Sequence, residues 1–212
     1  MDFASLLCSR LCHDLLSPVG AMNNGLELLV DEQDEAMRAQ CLELLGDSAR
    51  ASANKLKFFR LAFGAAGGFG DVVDTREAHD AIVGLFGAER RIEVEWLVAE
   101  TTLSKTAIKV LLNLVLMAGD ALVRGGRLTI GAEEGHGGTE IVVRAEGSRL
   151  VLDPELRVAL AGETDETQLT PRAAAAWLVH ALAKDGGGHA QVEASDGVLL
   201  FGATLGRPDA PA

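Results

Sequence analysis

The periodicity of the chain changes at the glycine-rich run GAAGGFGD, residues 64 to 71. Before this run, two helical patterns extend from about Phe3 to Val30 and from about Glu35 to Phe63, with the polar segment DEQDE between them. Two long helices with a short connection form an antiparallel hairpin. A lone hairpin cannot bury both of its apolar stripes, so we expect two copies of the chain to pair as a four-helix bundle.

After the glycine-rich run, strand patterns alternate with helical patterns, which predicts an α/β sandwich whose sheet is covered by helices on one face. The strand-like segments are IEVEWLV, RLTIGAE, TEIVVRAE, AQVEA and VLLFGATL. The helical segments are TREAHDAIVGLFG, SKTAIKVLLNLVLMAGDALV, DPELRVALAG and TPRAAAAWLVHALAKDGG, with Thr75, Ser104, Asp153 and Thr170 as candidate N-caps. The predicted fold class is α+β, with a helical hairpin over residues 1–65 and a sandwich over residues 71–208.

The composition excludes several classes of partner. The 212 residues are 48% hydrophobic and carry a formal net charge of −12, so the cationic footprint of a nucleic-acid-binding protein is missing. The longest apolar run, Ile108 to Ala118, is about half a membrane span and contains Asn113. The first three residues lack the basic region of a signal peptide. We therefore expect a cytoplasmic protein that binds neither nucleic acid nor membrane.

Pro18 interrupts the first helical pattern, in the run LCHDLLSPVGAMNNG that spans residues 11 to 25. A proline inside a helix costs about 3 kcal/mol, because it removes a backbone donor and crowds the preceding turn. It leaves the carbonyl of Asp14 without its usual partner and is expected to bend the helix. Local rules tend to fail at functional or strained sites, which draws attention to the neighbouring His13.

A helical wheel places His13 opposite the apolar face of its helix. At about 100° per residue, five apolar residues fall within about 40° of the direction opposite to His13. These residues, which we expect to face the bundle interior, are Leu11, Leu15, Met22, Leu26 and Leu29. His13 is then exposed, either as an ordinary surface histidine or as a functional one. The residues stacked with it are small or polar: Ser17, Gly20, Asn24 and Glu27.

The cysteines allow an alternative in which Cys8, Cys12, His13 and Cys41 bind zinc. On the same wheel, Cys8 and Cys12 fall at the border of the apolar face, far from His13. Because free cysteine packs well in protein cores, we expect three reduced, packed thiols and no metal site.

The segment HDLLSPVGA resembles the H-box of bacterial histidine kinases, which has the pattern His-Asp/Glu-Leu-x-Thr/Ser-Pro-Leu. The matching residues are His13, Asp14, Leu15, Ser17 and Pro18. In that family, the motif lies on the first helix of a dimeric hairpin and its histidine accepts a phosphoryl group. The resemblance implies that His13 is phosphorylated and that Ser17 and Pro18 shape the helix around it. It leaves two roles open for Asp14, which either polarises the imidazole or is a solvated surface acid.

The second half of the chain resembles the ATP-binding domain of the same kinases, but without the residues that bind nucleotide. KVLLNLVLMAGDAL resembles the N-box and keeps Asn113, while Met117 replaces its metal-binding asparagine. RAEGSRL stands in place of the Asp-x-Gly-x-Gly box, with Ala145 for the aspartate and Arg149 for the second glycine. PRAAAAWLVHAL has alanines where backbone must approach phosphate. The resemblance implies a degenerate ATPase domain that binds no ATP.

A dimeric H-box hairpin with a degenerate ATPase domain is similar to the histidine phosphotransferases of the ChpT type. This similarity implies a phosphorelay enzyme that moves a phosphoryl group between the receiver domain of a hybrid histidine kinase and response regulators, through phosphohistidine at His13. The receiver brings its own Mg²⁺, so no cofactor of the protein's own is expected. The alternatives are an ATP-dependent histidine kinase core and a dimeric adaptor that binds receivers without catalysis.

Receiver domains are expected to bind below His13, toward the hairpin loop. The expected contacts are Leu16, Ser17, Gly20, Asn24 and Leu28 on the first helix, with Arg50 and Lys57 on the second. Small residues of the second helix permit close approach of a receiver, or else pack inside the bundle: Ser48, Ala49, Ala51, Ser52 and Ala53. The C-terminal domain is a possible second contact surface for a receiver.

Overall fold

A computed structural model describes residues 3–64, 70–86 and 91–206 of the chain. Two antiparallel helices of equal length come first, α1 (Phe3–Asp31) and α2 (Glu35–Phe63). α2 begins where the Asp34 carboxylate accepts a hydrogen bond of 2.9 Å from the backbone N–H of Met37. α1 continues unbroken through Pro18. The predicted hairpin is confirmed, whereas most of the glycine-rich run lies outside the described residues, so the limits 65 and 71 stay a prediction.

The interface between the two helices is built from small side chains. Pro18 and Gly25 are buried on α1, and Ser48 and Ser52 are buried on α2. A Cβ added to Gly25 would lie 3.2 Å from the side chain of Leu45, so glycine permits close packing there. The two serines therefore belong to the inside of the hairpin, and the alternative that they contact a receiver is wrong for them.

The C-terminal part is a sandwich with two sheets. Two short strands, β1 (Val72–Asp74) and β3 (Thr102–Ser104), pair antiparallel. The main sheet has the order β2-β4-β5-β7-β6, in which β2 runs parallel to β4 and the other neighbours are antiparallel. Its strands are β2 (Ile92–Trp96), β4 (Gly126–Gly135), β5 (Gly138–Glu146), β6 (Ala190–Ser195) and β7 (Val198–Gly206).

Four helices complete the sandwich: α3 (Thr75–Phe86), α4 (Lys105–Ala121), α5 (Pro154–Leu160) and α6 (Ala174–Asp185). Ser104 and Asp153 cap α4 and α5 as predicted. Thr75 does not act as predicted, because its hydroxyl donates to the carbonyl of Glu100, while Asp74 accepts from the amide of Arg76. Burial alternates along β4, β5 and β7, so the sheet has one buried face, as the pattern predicts.

The hairpin and the sandwich share one core. Phe58 and Phe59 of α2 are buried in the same apolar cluster as Ile108 of α4. At the start of α1, the ring of Phe3 lies 5.0 Å from that of Trp177 in α6. These contacts fix the first turns of α1 against the sandwich and so determine what His13 faces. Within the described ranges, no helix is both long and apolar enough to cross a membrane.

Candidate functional site

His13 lies on the exposed face of α1, with 87% of its side chain accessible. Its Nδ1 atom is 3.3 Å from Oδ1 of Asp14, whose side chain is only 22% accessible. An ionised carboxylate only accepts hydrogen bonds, so this contact requires the proton of a neutral ring to be on Nδ1. The Nε2 atom then carries the lone pair and is the nucleophilic atom of the ring.

The backbone of Asp14 is held by α2. Pro18 has no N–H to donate to the carbonyl four residues earlier, which is that of Asp14. The ammonium group of Lys55 donates a hydrogen bond of 2.7 Å to this carbonyl oxygen. The proline therefore replaces a contact within α1 by a contact between the two helices, directly beside His13.

The carboxylate of Asp14 is held by Arg10, one helical turn earlier. Arg10 Nε donates to Asp14 Oδ2 at 3.0 Å, and Arg10 Nη2 donates to Asp120 Oδ2 at 2.5 Å. Burial acts to lower the pKa of the Arg10 guanidinium, but the charges and hydrogen bonds of Asp120 and Asp14 outweigh burial and raise this pKa. Arg10 therefore stays charged and links the H-box helix to the end of α4.

A cleft of about 1480 Å³ separates the His13 face of α1 from the sandwich. The hairpin contributes Ser9, Arg10, His13 and Asp14 to its walls. The sandwich contributes charged side chains of both signs: Arg91, Arg124 and Arg172, with Asp120, Asp153 and Glu155. The exposed imidazole thus opens onto a space that is large enough for part of another protein.

The same cleft lies over the region that resembles the nucleotide site. Met117, which lines the cleft, is 3% exposed and offers a thioether where Mg²⁺ needs an oxygen ligand. Ala145 is completely buried and has no carboxylate to read an adenine. Asn113 is also completely buried, and its Nδ2 donates to the carbonyls of Ala62 and Lys109. The residues present do not fit Mg-ATP.

The side chains predicted to bind receivers fall into two groups. Leu16 and Leu28 are 69% and 61% exposed, and Gly20 and Asn24 are also exposed, on the part of α1 that leads to the loop. The remaining two, Arg50 and Lys57, are exposed on α2. They lie about 180° to 200° around α2 from Ser48, which faces α1. The structure therefore does not bring Arg50 and Lys57 together with the His13 face.

The apolar face of α1 is only partly covered in a single chain. Leu11, Leu15, Met22 and Leu29 are half-buried, whereas Leu26 is 57% exposed. The three thiols are free, as predicted, but only Cys41 is buried. Cys8 and Cys12, predicted to pack at the border of the apolar face, are exposed in the single chain.

Three residues of the site are absent from the sequence-based prediction: Arg10, Lys55 and Asp120. The contact of Arg10 could have been predicted from spacing alone, since Arg10 lies four residues before Asp14 on a helix. Lys55 and Asp120 lie 41 and 110 residues from their partners in the chain. Their contacts depend on the register of the hairpin and on the docking of α4, which no local pattern encodes.

An exposed H-box histidine on a two-helix hairpin, facing an ATPase-like sandwich without nucleotide ligands, defines the class of histidine phosphotransfer proteins. Residues 75–198 match the family model of the histidine phosphotransferase C-terminal domain. The chain is 34% identical to the protein phosphotransferase ChpT of Brucella abortus over 203 residues, which cover 96% of this chain and 95% of that protein. The chain belongs to the histidine phosphotransferase family, which confirms the resemblance of its sequence.

Two solved structures superpose on this chain to different extents. A bacterial phosphotransferase superposes with a TM-score of 0.83 at 33% identity, over 95% of each chain. The histidine kinase AdeS of Acinetobacter baumannii superposes with a TM-score of 0.47 at 15% identity, over 92% of this chain and 97% of that one.

Proposed function

We propose that this phosphotransferase takes a phosphoryl group from an aspartyl phosphate of a hybrid-kinase receiver domain, holds it on His13, and passes it to response regulators. The observation that carries the proposal is the contact of the exposed His13 ring with the Asp14 carboxylate, in the wall of a cleft that can take part of another protein. Membership of the histidine phosphotransferase family supports it.

The transfer proceeds in two displacement steps. In the first, Nε2 of His13 attacks phosphorus, the N–P bond forms, and the bond from phosphorus to the donor's carboxylate oxygen breaks with its electron pair on oxygen. The proton stays on Nδ1, where the Asp14 carboxylate stabilises the positive charge that develops on the ring. In the second, an aspartate oxygen of the acceptor attacks phosphorus and the N–P bond breaks, which returns the neutral imidazole.

The protein's own contribution to this chemistry is alignment. Phosphoryl transfer has a loose transition state, so rate depends mostly on positioning and on neutralisation of the phosphoryl oxygens. In this proposal the receiver supplies Mg²⁺ for neutralisation, and the protein supplies an aimed nucleophile without a cofactor of its own. Asp14 is then a catalytic partner of His13, and Leu15, Ser17 and Pro18 maintain the helix around it.

The proposal excludes an ATP-dependent kinase. Its support is the loss of oxygen ligands at Met117 and of the carboxylate at Ala145, together with the structural use of Asn113. Calorimetric titration with Mg-ATP is expected to give no measurable heat of binding. Micromolar binding would favour the kinase alternative.

The proposed active form is a homodimer formed through residues 3 to 63. Its support is an exposed apolar stripe on each helix of the hairpin. On α1, Val19, Leu26 and Val30 are 48%, 57% and 76% exposed and lie within about 40° of one another. On α2, Leu42 and Leu56 are 59% and 53% exposed and also lie about 40° apart. A second hairpin would cover both stripes.

Receivers would bind the exposed stripe of Leu16, Gly20, Asn24 and Leu28 and enter the cleft beside His13. In this proposal, Arg91 and Arg124 of the cleft contact acidic residues of the receiver. Arg50 and Lys57 remain predicted contacts on the outer face of α2.

The experiment that tests the proposal follows labelled phosphate through both steps. A receiver domain carrying ³²P on its aspartate is incubated with the protein, re-isolated protein is then mixed with an unlabelled second receiver, and label is followed on all three. The expected result is an acid-labile label on the protein that moves to the second receiver. Binding of both receivers with no label on the protein would favour the adaptor alternative.

A further inference from the structure

Arg10 joins two carboxylates that come from distant parts of the chain. Its guanidinium donates to Asp14 in the H-box and to Asp120 in α4, the N-box-like helix of the sandwich. The side chains of Arg10, Asp14 and Asp120 are 15%, 22% and 33% exposed. Exposed ion pairs contribute little to stability, but a charged hydrogen bond in a partly buried site is stronger and fixes geometry.

As a consequence, both the backbone carbonyl and the side chain of Asp14 are held by other residues. Its carbonyl accepts from Lys55, and its Oδ2 accepts from Arg10, so the remaining carboxylate oxygen, Oδ1, is left for Nδ1 of His13. A free aspartate on a helix surface samples several rotamers and directs neither oxygen consistently. Fixing Oδ2 therefore orients Oδ1 toward the ring, and through it selects the tautomer that leaves the lone pair on Nε2.

We infer that Arg10 and Asp120 are positioning residues of the phosphotransfer site. Asp120 binds the guanidinium, the guanidinium binds Asp14, and Asp14 contacts Nδ1 of the His13 ring, which leaves the lone pair on Nε2. Through Asp120, the sandwich thus affects phosphotransfer. Asp120 lies in α4, the helix in which Met117 replaces the metal-binding asparagine of the N-box. This inference rests on the proposed function of His13 and extends it to two residues that act on the reacting imidazole only through Asp14.

The substitution that tests the chain of contacts is Asp120→Asn, which keeps the shape of the side chain and removes its charge. Arg10→Gln removes the link, and Arg10→Lys keeps the charge but lacks the fork that reaches two carboxylates. The matched control is Arg60→Gln, which removes the ion pair of α2 with Glu77 in α3, another contact between hairpin and sandwich that does not involve the H-box.

Two readouts separate positioning from general stability. The first is the rate of transfer from a phosphorylated receiver at saturating receiver concentration. The second is the tautomer of His13, from the ¹⁵N chemical shifts of its ring nitrogens. Arg10→Gln and Arg10→Lys are expected to slow transfer by about tenfold, below the ~100-fold that a 1 Å misplacement costs. They are also expected to reduce the population of the Nδ1–H tautomer. Because the rate is measured at saturating receiver, a change in receiver affinity does not enter it. Asp120→Asn should change both readouts in the same direction by a smaller amount.

Wild-type transfer rates and an unchanged His13 tautomer in Arg10→Gln and Asp120→Asn would overturn the inference. The proposed function would still be supported if His13 accepts label. Equal slowing in Arg60→Gln would also overturn it, because the effect would then belong to the domain contact in general. If His13→Ala accepts label as the wild type does, the proposed function itself fails. Because the tautomer is read from folded protein, a variant with reduced stability still reports at lower temperature.

Discussion

Lys55 donates a hydrogen bond of 2.7 Å to the backbone carbonyl of Asp14, the carbonyl that Pro18 leaves without an amide partner. Pro18 itself is buried between the two helices. The irregularity of the H-box helix is therefore compensated by the second helix. Asp14, the residue next to His13, is therefore held by a contact between helices rather than within one.

This compensation predicts that the effects of Lys55 and Pro18 on stability are coupled. Lys55→Met leaves a half-buried carbonyl without a donor and is expected to lower the free energy of unfolding by about 1–2 kcal/mol. In a Pro18→Ala background, the alanine N–H bonds to the same carbonyl, and Lys55→Met is expected to cost less than about 0.5 kcal/mol. Urea unfolding at fixed protein concentration measures both costs. Equal costs in the two backgrounds would contradict the coupling, and the exposed Lys57→Met is the control.

Leu26 and Leu28 provide a test of the proposed dimer. They are similarly exposed, at 57% and 61%, but lie about 160° apart around α1. Leu26→Glu places a charge in the apolar stripe and is expected to give a single-chain mass in light scattering at micromolar concentration. Leu28→Glu, on the receiver stripe, is expected to leave the dimer mass intact. A single-chain mass for the wild type would contradict the dimer.

Asn24 tests the surface proposed for receivers. Asn24→Arg adds bulk and charge to an exposed, small-residue stripe, and is expected to weaken binding of an unphosphorylated receiver by at least about tenfold, or ~1.4 kcal/mol. Label on His13 should still reach the wild-type level at saturating receiver. The control is Gln40→Arg, an equal charge change at an exposed position of α2 near the loop. Unchanged receiver affinity in Asn24→Arg would contradict the proposed surface and show that receivers bind elsewhere.

The fold was largely predictable because its elements carry strong local patterns. The hairpin follows from two long helical periodicities with the polar segment DEQDE between them, and the five main strands follow from strand-like runs of apolar residues. The short pair β1 and β3 has only three residues in each strand, too few for alternation to register. Its existence depends on pairing across the sandwich, which is a tertiary property.

The candidate site was predictable only where a motif carried it. His13 and Asp14 stand in a recognisable pattern, and the wheel correctly predicts the exposure of His13. The wheel gives one apolar face and does not separate residues that α2 covers from residues that it leaves exposed, and Leu26 and Cys8 are of the second kind. The contact of Asp120 with Arg10 could not be predicted, because the two residues meet only when α4 packs against the hairpin.

The proposed function requires that His13 alone carries the phosphoryl group. The decisive measurement incubates a ³²P-labelled receiver with wild type, His13→Ala and His136→Ala, the last being an exposed histidine on the sandwich. Because His13 is exposed and outside the core, His13→Ala is expected to change the free energy of unfolding by no more than about 0.5 kcal/mol and to keep the dimer and receiver binding. Wild type and His136→Ala are predicted to become labelled to the same extent, and His13→Ala is predicted to remain unlabelled. Label on folded His13→Ala would contradict the account.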